Sequence, residues 1–181
     1  MARLIRLWFL IVALALQVGC SSIQPSNKTS LPSNMVTEQL FAIYVRGGGG
    51  TAFPIGFNKL ATASHMVMDE ADGGVDVRSA NGQVCWGEFS FASIDDERHA
   101  VILTKDVIFV NAYEVAAPRI GWAWIRTPRR EYRVWLLTSK VFIGFTPIPG
   151  ESGSPVVQDG KAVGVLTHRC PQGGLYRGLK E

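Results

Sequence analysis

Beyond about residue 37, no stretch of this chain keeps its apolar residues at the 3.6-residue spacing of an amphipathic helix. The apolar runs are short instead, and Gly, Pro, Asn and Ser punctuate them at close intervals. "QLFAIYVR", "TAFPIGF", "KLATAS", "HAVILTK", "VIFVNAYEV", "IGWAWIR", "YRVWLLTSKVFIGF", "PVV", "KAVGVLTH" and "GGLYRGL" read as strands or strand pairs. "VDVRSANGQVCWGEFSFASI" holds two more runs joined at Asn81 and Gly82, residues that tolerate the positive φ angles of a tight hairpin. Such a chain buries its apolar residues by closing or stacking sheets, so the expected class is an all-β barrel or sandwich. The four glycines at 47–50 lack the Gly-Lys-Ser/Thr ending of a phosphate loop, and no helix follows them. They are expected to form a flexible hairpin loop.

The N-terminus has a different character. Arg3 and Arg6 precede the apolar run "LWFLIVALAL", and "QVGC" then places small residues before Cys20. This is the layout of a bacterial secretion signal, and the run is shorter than the roughly 20 apolar residues a spanning helix needs. "QVGC" resembles the lipobox of bacterial lipoproteins, with Gln17 departing from the usual leucine. The resemblance implies that residues 1–19 are removed and that Cys20 is acylated as the mature N-terminus. Ordinary cleavage, with Cys20 free or disulfide-bonded, is the alternative. With Ser21 next in line, the usual sorting rule points to the cell envelope, at the outer membrane.

"SSIQPSNKTSLPSN" has little to bury and reads as a tether, so residues 20–36 are expected to link the anchor to a folded domain at 37–181. Removing residues 1–19 deletes two arginines and no acids, which lowers the formal net charge from +3 to +1. The basicity is therefore partly the targeting segment, and it gives no case for nucleic acid. Cys85 and Cys170 form a candidate disulfide in an exported chain, with two buried thiols as the alternative.

Two blocks carry chemistry. "TASHMV" at 62–67 follows two short strands, and "GESGSP" at 150–155 lies far downstream. A serine hydroxyl is a weak nucleophile until a positioned imidazole takes its proton. An acyl-transfer intermediate also needs backbone N–H groups aimed at its oxyanion, which glycine's backbone freedom allows. Either block alone is as well explained by a turn or by a structural histidine; the two in this order are not. Together, over residues 38–181, they resemble the trypsin/chymotrypsin-like serine proteases.

The resemblance implies two six-stranded antiparallel β-barrels packed with a cleft between them. It implies His65 as base, Ser152 as nucleophile, and the amides of Gly150 and Ser152 as the oxyanion hole. Glu151 stands where the family usually has aspartate and is not expected to be catalytic. The substrates would be proteins or peptides, and no cofactor is implied. Thr146, in the stretch before the nucleophile, brings no charge to the primary pocket, so no demand for Lys or Arg is expected.

The acid of the triad departs from the pattern. In "SIDDERHAVILTK", alignment on Ala100 puts Arg98 at the acid's place. Asp95, Asp96 and Glu97 lie just upstream, and Asp96 shares strand parity with Arg98. Asp96 is the expected acid, with Asp106 a more remote candidate. His99 reads as a surface or edge-strand residue, and His168 either touches substrate or is structural. Three scattered histidines give no metal-ligand spacing, so no metal is expected. "RTPRREYR" could meet acidic substrate or lipid headgroups, or be a solvated loop.

Overall fold

Among the described residues, fourteen strands and one 3₁₀ turn supply the regular structure. The computed structural model describes residues 35–36, 38–45, 48–67, 74–79, 84–90, 99–105 and 107–180, excluding the side chains of 36, 79 and 84–90. A short strand β1 (Met35–Val36) comes first, so strand structure begins just ahead of the boundary expected at residue 37. The next six are β2 (Phe41–Val45), β3 (Gly48–Gly56), β4 (Lys59–Ala63), β5 (Gly74–Ser79), β6 (Val84–Ser90) and β7 (His99–Thr104). They close into a barrel in the order β2-β3-β4-β7-β6-β5, with β5 pairing back onto β2.

A connecting stretch holds β8 (Ile108–Phe109), which pairs in parallel with β1. The second barrel uses β9 (Gly121–Arg126), β10 (Glu131–Leu136), β11 (Val141–Ile143), β12 (Pro155–Gln158), β13 (Lys161–Cys170) and β14 (Gly173–Gly178). It closes in the order β10-β11-β14-β13-β12-β9. Every pairing within the two barrels is antiparallel. The structure is thus all-β, with the two six-stranded barrels that the resemblance implied.

Period-2 alternation sorts most strands into an inner and an outer face. On β9, Ala123 and Ile125 are buried while Trp122 and Trp124 face solvent. Each barrel has its own core, with Ile43, Leu60, Val77 and Ile102 in the first and Ile125, Leu136, Phe142 and Tyr176 in the second. A third apolar cluster joins Phe53, Ala61 and Ala63 to Val157, Ala162 and Val165, with Tyr113 of the connecting stretch among them. It forms the seam between the barrels.

The seam explains why β3, β4, β12 and β13 lack alternation. One face of each fills a barrel and the other fills the seam, so both must be apolar or hydrogen-bonded. On β4, Leu60 belongs to the first core while Ala61 and Ala63 belong to the seam. His65 and Ser152 sit at the ends of these doubly buried strands, where the backbone is held from both sides.

Three of the four glycines at 47–50 depart from expectation, and Gly47 lies outside the described residues. Residues 48–50 are strand, paired with Val45, Tyr44 and Ile43 of β2. A Cβ on Gly50 would come within 2.7 Å of Met66 Cε and 3.0 Å of the Ser152 carbonyl oxygen. The glycine allows the hairpin to press against the other barrel, a close approach rather than a flexible loop.

Candidate active site

The 3₁₀ turn Ser64–Met66 ends β4 and carries His65, closed by the Val67 amide donating to the Ser64 carbonyl at 3.0 Å. The turn directs the imidazole out of the sheet toward β13. There the His65 and His168 ring centres lie 5.1 Å apart. Partial burial, and secondly the charge of His168, hold the His65 pKa below its usual 6.5. A neutral imidazole is the form that can accept a proton.

Ser152 lies in the turn before β12. Its Oγ donates to the Thr167 carbonyl at 3.2 Å. The His65 ring and the Ser152 hydroxyl therefore converge on adjacent residues of one strand, His168 and Thr167. Resting hydrogen bonds of catalytic groups are often misaligned until substrate binds, and rotation about one side-chain bond frees this hydroxyl.

The turn itself is braced from both barrels. The Thr51 amide donates to the Ser152 carbonyl at 2.8 Å, and the Thr51 hydroxyl to the Gly150 carbonyl at 3.0 Å. The Gly153 amide donates to Leu166 at 2.8 Å, the Ser154 amide to Glu151 at 3.1 Å, and the Glu151 amide to Ile148 at 3.2 Å. Among the described residues, the amides of Gly150 and Ser152 donate to no protein acceptor. These are the two donors that the resemblance assigned to the oxyanion hole. A groove of about 420 Å³ runs beside them, lined by Tyr44, Gly49, Gly50, Pro128 and Pro149 among others.

Glu151 is 1% exposed. Its carboxylate accepts the Tyr132 hydroxyl at 3.2 Å and the Ile148 amide at 3.0 Å, so it clamps the turn from beneath. Tyr132 stacks on Phe145 with ring centres 3.8 Å apart. Sequence reasoning set Glu151 aside and missed Thr51 and Thr167. Nothing local marks Thr51, whose amide and hydroxyl both donate into the other barrel. Thr167 is visible only as a polar residue inside an apolar run.

Gly153 tolerates no side chain. Its φ is +89°, and a Cβ there would lie 1.8 Å from the Thr51 carbonyl oxygen and 2.5 Å from Thr62 Oγ1. That oxygen is already held by the Thr62 hydroxyl at 2.7 Å. Gly153→Ala is expected to cost roughly 3–5 kcal/mol, combining an unfavourable φ with overpacking against backbone. Urea unfolding checks this, and a loss under about 1 kcal/mol would show that the seam yields.

The remaining expected residues fall as follows. Cys20 and Asp96 lie outside the described residues, as do Asp95, Glu97, Arg98 and Asp106. Among the described residues, no carboxylate shifts His65. His99 opens β7 opposite Ala63, between two strands and half-buried rather than at an edge. Cys170 carries a free thiol, so its pairing with Cys85 is not formed. Cys85 is on β6, whose side chains lie outside the described residues.

The arginine-rich stretch is partly pinned. Arg126 pairs with Glu131 at 2.8 Å and donates to the Tyr113 hydroxyl at 3.0 Å. Arg130 lies over Tyr132 at 4.6 Å and Arg133 over Trp122 at 4.1 Å.

No protein-family model and no curated protein matches the sequence. Among solved structures, the chain is similar to a scabies mite inactivated protease paralogue, S-D1. The TM-score is 0.64 at 12% identity, over 77% of this chain and 86% of that one. It is also similar to the serine protease of a human pathogenic astrovirus, with a TM-score of 0.63 at 16% identity over 81% and 94% of the two chains. The NSP4 proteinase from equine arteritis virus gives 0.57 at 20% identity, over 79% and 78%. These likenesses show the fold, the two-barrel arrangement of trypsin-like serine proteases. One of the three is named as inactivated, so the frame alone does not decide activity.

Proposed function

We propose that this chain is a cofactor-free serine endopeptidase that cleaves exported proteins through an acyl-enzyme, anchored at the bacterial cell envelope by lipid on Cys20. One observation carries the reading. The Ser152 hydroxyl sits beside two amides that donate to no acceptor among the described residues, and the His65 imidazole reaches the same strand. His65 takes the Ser152 proton as Oγ attacks the peptide carbonyl, and the Gly150 and Ser152 amides receive the oxyanion. The imidazolium returns its proton to the leaving amine. Water then repeats the sequence to release the acid. Asp96 is assigned to orient His65.

The test is covalent. Full-length protein in detergent is treated with a fluorophosphonate probe, and the adduct is mapped by mass spectrometry. An adduct at Ser152 supports the reading; a folded protein that stays unmodified overturns it. The second reading, a protease-like binding protein with impaired catalysis, is favoured by the resting bond from Ser152 to Thr167 rather than to His65. The similarity to an inactivated paralogue fits it too. An unmodified Ser152 is its signature.

Activity should fall as pH drops through the His65 pKa, because only the neutral ring accepts a proton. His168→Gln removes a neighbouring charge that lowers that pKa. The acid limb of kcat/KM, measured with a chelator present, should therefore move to higher pH. An unmoved limb would show that the two rings do not sense each other. The anchor has its own test. Labelled palmitate should enter wild type and not Cys20→Ser, and equal incorporation refutes the lipid assignment. More than one acyl chain is expected, since a single chain binds membranes only marginally.

A further inference from the structure

Two imidazoles meet at the mouth of the site, and one of them has no role in the chemistry above. The His65 and His168 ring centres are 5.1 Å apart with planes tilted by 40°, and both residues are exposed. With Zn–N bonds of about 2.0–2.1 Å and tetrahedral angles, two imidazoles sharing one zinc ion have centres about 5 Å apart. We propose that His65 and His168 together form an inhibitory binding site for a borderline-soft divalent cation, with Zn²⁺ its best-matched occupant. The site itself stands on this pair of rings; only its inhibitory consequence rests on the peptidase reading.

The fold turns His168 toward its partner by a local irregularity. The β13–β14 register shifts between Leu166 and His168. Thr167 is buried, and His168 and Arg169 are then both exposed, which breaks the alternation of the strand. A β-bulge re-aims side chains in this way, often beside functional sites.

The donor set selects the ion. Imidazole nitrogen suits zinc, copper and nickel, whereas magnesium and calcium demand oxygen ligands. Metal binding needs the neutral imidazole, whose lone pair is the donor. Among the described residues, no group of three or more His, Cys, Asp or Glu side chains could hold an ion. Two protein ligands leave the remaining positions to water, which is the open coordination of a reversible site rather than of a structural one. An ion held by His65 occupies the lone pair that would accept the Ser152 proton, so binding and catalysis exclude each other.

Calorimetric titration of ZnCl₂ into the full-length Ser152→Ala protein tests the site without turnover. One ion per chain is expected, and MgCl₂ should give no binding. His65→Gln and His168→Gln should each weaken binding by more than about 100-fold, beyond the 10–100-fold that loss of an outer-shell partner costs. Cys170→Ser should bind as before, which separates the site from the free thiol. Absence of zinc binding, or binding that survives both histidine substitutions, overturns the proposal. On the Ser152 protein, ZnCl₂ should slow fluorophosphonate labelling and EDTA restore it, with His168→Gln insensitive. Equal slowing in His168→Gln overturns the inhibitory role. A protein that never labels fails the peptidase reading, while the calorimetry still decides the metal site.

Discussion

Ser152→Ala is expected to lower peptide turnover on the order of 10⁶-fold while leaving the protein folded. The kinetic loss is large because, in the proposed reaction, the hydroxyl oxygen is the atom that becomes covalently bound to substrate. His65 and the oxyanion donors then have no nucleophile to serve, and their contributions cannot add separately. The structural loss is small. The hydroxyl makes one hydrogen bond, to the Thr167 carbonyl at 3.2 Å, and a bond of this kind contributes about 1 kcal/mol. For a domain of this size that shifts the melting temperature by about 2–4 °C. The turn is held by the amides of Thr51, Gly153 and Ser154, none of which the substitution touches. Steady-state kinetics beside a thermal melt checks both halves. Turnover within tenfold of wild type would mean another nucleophile, and a collapsed melt would mean that Ser152 is structural.

The parts of this molecule written in local pattern were legible in the sequence. The β7 run "HAVILTK" reads as an apolar strand and is one, with Ala100, Ile102 and Thr104 buried and the residues between them less so. The β5 and β6 runs flanking Asn81 and Gly82 pair antiparallel as expected. The turn residues themselves lie outside the described residues. What could not be read was decided by contacts between distant segments. The glycines at 48–50 looked like slack, yet they pair with β2, and Gly50 lies close against Met66 and the Ser152 carbonyl from elsewhere. Glu151 looked only non-catalytic, and its structural part could not be seen, because its buried carboxylate meets Tyr132, a residue on another strand. The His65–His168 pair has no local spacing at all, so a search for metal-ligand motifs passes over it. Nor could a cysteine count reveal that Cys170 remains a free thiol.

Asp96→Asn is expected to lower kcat on the order of 10⁴-fold, the loss that follows when the residue orienting the imidazole favours the wrong tautomer. The chain enters β7 at His99, opposite Ala63 and two positions from His65. An acid three residues before His99 therefore has at most about 10 Å of backbone to span. Among the described residues, partial burial and His168 shift the His65 pKa, and both lower it. Neither can stabilise the imidazolium that forms as Ser152 loses its proton. Some carboxylate must do so if turnover is fast, and family alignment puts Arg98 at the usual position. A guanidinium there would oppose the imidazolium, so the acid has to come from a neighbour. Asp96 has the strand parity to point where Arg98 would. Asp95→Asn and Glu97→Gln are the controls and should change kcat less than about tenfold, since they have the opposite strand parity to Asp96. The Asp96→Asn loss should fall on kcat more than on KM, because the oriented imidazole matters chiefly in the transition state. If all three substitutions retain full activity, His65 and Ser152 work as a dyad or with a more distant acid such as Asp106, and the assignment of Asp96 fails.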